Sequence, residues 1–169
     1  MQTIGLIQSE WGGTRIEPWS LPEGLEKCEI TPYCPNPTHP ERCNHQLFNV
    51  MINPLTKFSI YGVLWYQGES NGLWNRDKYG CAFTEMIKDW RRIWSLNTAT
   101  NPEFPFGFMQ LASYDANNPS IAFAALRWYQ TNGYGYVPNE SMKVMYAETQ
   151  ITINFDDTVF TECFHGRIA

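Results

Sequence analysis

Apolar residues fall into two rhythms along this chain: unbroken runs of strand length and longer stripes at helical spacing. Thr3 to Gln8 and Phe58 to Tyr66 are runs of the first kind and predict buried strands. Phe104 to Leu111 predicts a third strand, and Met142 to Ala147 a fourth, open to extension through Ile151 and Ile153. Leu47, Phe48, Met51, Ile52 and Leu55 recur at helical spacing, with Asn44 placed as an N-cap and Pro54 setting an end near residue 53. The clearest helix is 76–94, where Tyr79, Phe83, Met86, Ile87, Trp90, Ile93 and Trp94 share one face. Asn75 is its candidate cap, and Asp77 suits the positive end of the helix dipole. Ser120 to Thr131 predicts another helix. Residues 20–43 hold five prolines and three cysteines with no helical period, which predicts a surface excursion and not a second domain. Strand, excursion, helix, strand, helix, strand, helix, strand is an α/β order and implies a mostly parallel sheet with flanking helices.

Composition narrows this further. At 169 residues the chain suits one domain, and 43% apolar and 15% aromatic residues suffice for a real core. A net charge of -5 with no basic block argues against nucleic acid as a partner. No apolar run reaches the length of a membrane span, and the first residues lack the pattern of a secretory signal. Of the cysteines, Cys28, Cys34 and Cys43 cluster in the excursion, where a disulfide staple would suit a loop and leave at least one thiol unpaired. Zinc is the rival reading, but spacings of six and nine match no common ligand pattern. Asn139-Glu140-Ser141 is a glycosylation sequon, so the local chemistry looks more extracytoplasmic than the N-terminus does.

Three strand ends bring polar groups to one crevice, where α/β sheets place their chemistry. The first carries Ser9, the Gly12-Gly13 turn and Arg15; the second Gln67, Glu69, Ser70 and Asn71; the third Gln110 and Asp115. Glycine N–H groups beside a side-chain amide are the donors that steady the negative oxygen of an acyl-transfer intermediate. Arg15 is equally suited to an ion pair with Glu10, Glu17 or Glu69.

The strings Trp11-Gly12-Gly13-Thr14-x-Ile16-Glu17-x-Trp19 and Gly62-Val63-Leu64-Trp65-Tyr66-Gln67-Gly68-Glu69-Ser70-Asn71 resemble the sialate O-acetylesterase family. So do Pro105-Phe106-Gly107, Arg127-Trp128-Tyr129-Gln130-Thr131 and Gly135-Tyr136-Val137-Pro138-Asn139. That family belongs to the serine–glycine–asparagine–histidine (SGNH) hydrolases, which implies a flavodoxin-like sheet, here incomplete. By resemblance, residues 1–148 are a partial esterase domain and 149–169 a divergent C-terminal tail. Gly12 and Gly13 would supply the glycine of the oxyanion hole and Gln67 its amide, with Arg15 and Glu69 in support. The implied substrate is an O-acetyl ester on sialic acid, with no cofactor and no metal, in a family that is secreted or lysosomal.

The departures are as specific. The family nucleophile is a serine upstream of the Gly-Gly turn, and no residue here matches its place; Ser9 and Ser70 are the nearest serines. Glu162 and His165 have the three-residue spacing of the superfamily's carboxylate and histidine, without the Ile-His-Pro motif the family carries. The resemblance therefore implies either the family's hydrolysis or a catalytically inactive truncated product that binds a glycan or partner, the remainder of the full esterase being absent.

Overall fold

The computed structural model describes residues 4–112, 121–143 and 146–149, the last four through their backbone. Three parallel strands form its sheet: β1 (Val63–Trp65), β2 (Phe106–Gln110) and β3 (Tyr146–Thr149), in the order β1-β2-β3. Val63 pairs with Phe106, Leu64 with Gly107 and Trp65 with Phe108; Gly107 then pairs with Tyr146 and Gln110 with Thr149. The crossovers run through two helices, α2 (Tyr79–Asn97) and α3 (Ala122–Gln130), preceded by a short α1 (Pro22–Lys27). Because α2 and α3 pack side by side, both crossovers lie on one face of the sheet. That layout is the partial SGNH-type α/β fold the element order implies.

The core sits between α2 and that face. Phe83 on α2 lies 5.9 Å from Phe106 and 5.3 Å from Phe108, both edge-on. Trp65 is wedged edge-on between Trp19 at 5.8 Å and Trp90 at 5.6 Å. These large rings fill the helix–sheet space, and the edge-to-face geometry adds to what their buried area contributes.

Several expectations shift. Residues 4–8 form no strand: they join no ladder among the described residues, and Leu6 is 91% exposed. A strand without a ladder leaves its N–H and C=O groups to water, so apolar content alone does not make one. The run 58–66 yields a strand only at 63–65, because Pro54 opens a 3-10 turn at Asn53–Lys57 that delays the extended chain. The expected first helix exists as a π-helical segment Phe48–Ile52 running into that turn. Asn44 does not cap it; its amide donates to the Thr31 carbonyl at 3.2 Å. Asn75 sits in the left-handed region and its amide donates to Glu17, so the long helix starts at Tyr79 after a 3-10 turn Arg76–Lys78 and runs on to Asn97.

The excursion is also more ordered than its prolines suggest. Pro22 opens α1, where a missing N–H costs nothing, and Lys27 closes it, bonded to Glu85 of α2 at 2.8 Å. Six residues are too few to hold a helix by propensity, so packing on α2 maintains it. Cys34 pairs with Cys43, the staple the clustering implied; Cys28 pairs instead with Cys81 on α2. Asp115, Glu162, Cys163 and His165 lie outside the described residues, as do Ile151 and Ile153.

Candidate functional site

At the carboxyl end of β1 the chain turns through Gly68, whose φ of 145° is open to glycine alone. A Cβ there would lie 3.0 Å from Leu111 and 3.1 Å from Leu126, so the loop sits tight on the core. The turn presents Gln67 inward, and the following 3-10 turn, Glu69–Leu73, buries Asn71 completely.

Asn71 is the hub. Its Oδ1 accepts the Ile16 N–H and a Gln67 amide N–H, both at 2.9 Å. Its Nδ2 donates to Glu17 at 3.1 Å and to the Trp74 carbonyl at 3.2 Å. Glu17 is itself buried; its other oxygen accepts from Asn75 at 2.8 Å, and no cation pairs with it among the described residues. A buried carboxylate held only by amides depends on every one of those bonds, since losing one exposes the desolvation cost of the charge. The network thus ties the loop after β1 to the loop after residue 8 without help from the sheet.

Gln67 belongs to the same lattice. Its Nε2 donates to the Thr14 carbonyl at 3.1 Å as well as to Asn71, so both amide protons are taken. Its Oε1 accepts the Tyr79 hydroxyl at 3.0 Å. Complete burial pushes the Tyr79 phenol well above its ordinary range, which keeps it a neutral donor. Gln130, at the end of α3, bridges the Leu111 N–H at 3.0 Å and the Met109 carbonyl at 3.0 Å, and reaches the Gln67 carbonyl at 3.4 Å. The loop after β1 and the end of β2 are therefore joined.

Gly12 and Gly13 lie across from this lattice with a different character. Gly13 has φ 74°, a Cβ on either glycine would meet nothing within 4 Å, and their N–H groups donate to no described residue. Thr14 anchors the turn, its hydroxyl donating to the Trp11 carbonyl and accepting from the Trp19 indole, both at 2.9 Å. The arrangement is an open pair of donors on a rigid base.

The other residues singled out in the sequence are more scattered. Arg15 makes no ion pair with Glu10, Glu17 or Glu69; it stacks on Tyr33 and Trp74. Glu69 is exposed. Ser9 donates to the Met51 carbonyl at 3.2 Å, and Ser70 is half-buried. Exposed His39 pairs with Glu41 and His45 meets the Ser20 carbonyl, so no described serine hydroxyl bonds a histidine. Glu17, Asn75, Tyr79 and Gln130 are parts of the lattice that sequence reasoning did not place there. Tyr79 and Gln130 carried a usable signal: each is a polar tip on an otherwise apolar helical stripe. No group of metal-binding side chains occurs among the described residues, and none of their helices is long and apolar enough to cross a membrane.

Fold and loops together define a partial SGNH-type α/β fold, with polar turns gathered at the carboxyl ends of a parallel sheet. The family described as carbohydrate esterase, sialic acid-specific acetylesterase, matches residues 1–153, and the chain belongs to it. It is similar to mouse sialate O-acetylesterase, 38% identical over 93% of this chain and 35% of that protein. It is also similar to human sialate O-acetylesterase, 42% identical over 82% of this chain and 28% of that protein. The chain thus spans about a third of the length of these curated relatives.

Proposed function

We propose that this chain serves the hydrolysis of O-acetyl esters on sialic acid and supplies the side of the site that holds the acyl oxygen. The observation that carries this is the juxtaposition of the open Gly12-Gly13 donors with Gln67, bonded to the carbonyl of the very next residue, Thr14. An oxygen that gains negative charge as water or a serine attacks the acetyl carbon is steadied by donors fixed in advance. The glycine N–H groups are free for that oxygen. Gln67 first aims the turn, then joins the hole by exchanging its bond to the Thr14 carbonyl for one to the oxyanion. Glu17 and Asn71 keep this exchange local by holding the rest of the lattice, while Arg15 and Glu69 flank the entrance. Residues 1–148 form the esterase unit in this reading, and 149–169 a divergent tail that begins at the end of β3.

A nucleophile and base must meet the ester beside these donors. Ser9 and Ser70 are the serines in the two loops, and Glu162 with His165 is the carboxylate–histidine candidate. Acetate release from 9-O-acetyl-N-acetylneuraminic acid, followed by NMR with the full chain, tests the reading. Donors alone are expected to accelerate release over buffer by no more than roughly 10³–10⁴, with Gln67→Ala removing most of that gain. Rates equal to buffer, or unchanged by Gln67→Ala, contradict the proposal. A larger acceleration lost in Ser9→Ala or Ser70→Ala, and also in His165→Ala, places the nucleophile and base within this chain.

A further inference from the structure

The guanidinium of Arg15 lies 4.5 Å from the ring centre of Trp74 and 5.1 Å from that of Tyr33, and those two rings are 5.4 Å apart. One of its N–H groups donates to the Arg42 carbonyl at 3.3 Å. No carboxylate of the described residues comes within ion-pair distance, although Glu10, Glu17 and Glu69 are close in sequence. An arginine offers five N–H donors in a rigid fork that matches a carboxylate. Here two rings and one bond hold the fork in place, yet most of its donors have no acceptor among the described residues. Stacking on the rings keeps the cation in place without neutralising it. Tyr33 is 39% and Trp74 43% exposed, so the cluster faces solvent and not the core.

Its position is set by buried bonds. Arg15 lies two residues beyond Gly13, and Asn71 grips both the Ile16 N–H next to Arg15 and the Trp74 carbonyl. The platform and the open turn therefore belong to one frame. With a net charge of -5 the chain as a whole repels anions, so an anionic ligand needs a local, unneutralised cation to dock.

We infer that Arg15, seated over the Tyr33 and Trp74 rings, is a carboxylate-binding subsite beside the Gly12-Gly13 turn that takes the acid group of an acetylated sugar acid. The inference rests on the esterase reading and adds the substrate feature that is recognised. The fork donates to both carboxylate oxygens, and the exposed ring faces beside it pack against the C–H face of the sugar.

Saturation-transfer NMR and tryptophan fluorescence on the full chain test it with three probes: N-acetylneuraminic acid, its C1 methyl ester and a neutral sugar, 6-O-acetylglucose. The acid is expected to bind roughly tenfold more tightly than its methyl ester, the weight of an exposed charge-assisted pair. Arg15→Gln should erase that gap, Arg15→Lys should restore only part of it, and added salt should narrow it. The acid-versus-ester comparison needs no substitution, so it decides the matter even if Arg15→Gln folds poorly. Equal binding of acid and ester, or a gap that survives Arg15→Gln, overturns the subsite. Binding of the acetylated neutral sugar without preference for the acid overturns it and leaves the esterase reading standing. Silence toward all three overturns both.

Discussion

Trp65 and Leu64 are neighbours on β1 whose side chains leave opposite faces of the same sheet, and they meet very different surroundings. Trp65 is buried between Trp19 and Trp90, while Leu64 is 78% exposed. Both belong to one apolar run, and parallel strands are ordinarily covered on both faces. What separates them is where the helices pack: α2 and α3 both lie on the Trp65 side. Residues 4–8 repeat the lesson, since Ile4, Leu6 and Ile7 are as apolar as any strand in the chain and are all exposed. Hydrophobic pattern states what a segment is able to bury; burial also needs a partner on that face.

The sharpest way to break this contrast is to empty the covered face. Phe106→Ala removes a fully buried ring that meets Phe83 and Trp90. It should cost about 3–5 kcal/mol in urea unfolding. A loss near 1 kcal/mol would mean that the covered face is no better packed than the bare one.

Next in size is the link between the excursion and α2. Cys28 and Cys81 are 53 residues apart, against 9 for Cys34 and Cys43. Chain-entropy arguments give ceilings of about 4 and about 2.5 kcal/mol for loops of these lengths. Cys28→Ser paired with Cys81→Ser should therefore lower the urea midpoint more than the Cys34 and Cys43 pair of serines does. The reverse order would show that α1 is held by packing alone.

A smaller effect comes from acid groups on the side of α2 that packs against α1. Burial raises the Asp89 carboxyl above its usual range, only partly offset by Arg92. Its folded form holds a proton more readily than the unfolded chain, so stability falls as pH rises through the window just above 3.8. For Glu85 burial pulls upward too, but bonds from Lys27 and Lys88 outweigh it and lower the carboxyl, so its contribution is lost as pH drops below the ordinary range. Asp89→Asn should raise Tm at pH 7 by under about 2 °C, with the gain vanishing in acid. A drop in Tm at neutral pH would show that the Arg92 contact outweighs burial.

The smallest change is expected on the bare face. Leu64→Ser should alter stability by no more than about 0.5 kcal/mol, read from the same urea curves. A loss of 2 kcal/mol or more would mean that this face is covered in solution.

Much of this fold was legible because its signals were long. The seven-residue apolar face of 76–94 and the run into Gln67-Gly68-Glu69 survive in α2 and β1 with shifted ends. α1 was not legible, since six residues carry too few turns to show a period and the helix is held by packing on α2. The site was legible in its residues more than in its bonds. Gln67, Asn71 and the glycines stand out in sequence, but Glu17, two residues from Arg15, reads as half of an ion pair. In the structure amides hold Glu17, and aromatic rings hold Arg15. Asn139 makes the same point: a sequon by pattern, it spends both amide protons on the Thr131 and Tyr136 carbonyls inside a turn. Partner choice among polar groups depends on which of them the fold buries together, and short-range spacing carries little of that.

The central claim is that the loops after residue 8 and after β1 form a rigid lattice presenting open donors. Amide hydrogen exchange under native conditions tests it in one experiment, comparing Ile16, whose N–H is locked onto buried Asn71, with Gly12 and Gly13. The account predicts that Ile16 exchanges only on near-global opening, while the two glycines exchange within about tenfold of unprotected rates. Glycine amides as protected as that of Ile16, or an Ile16 amide as fast as theirs, would contradict it.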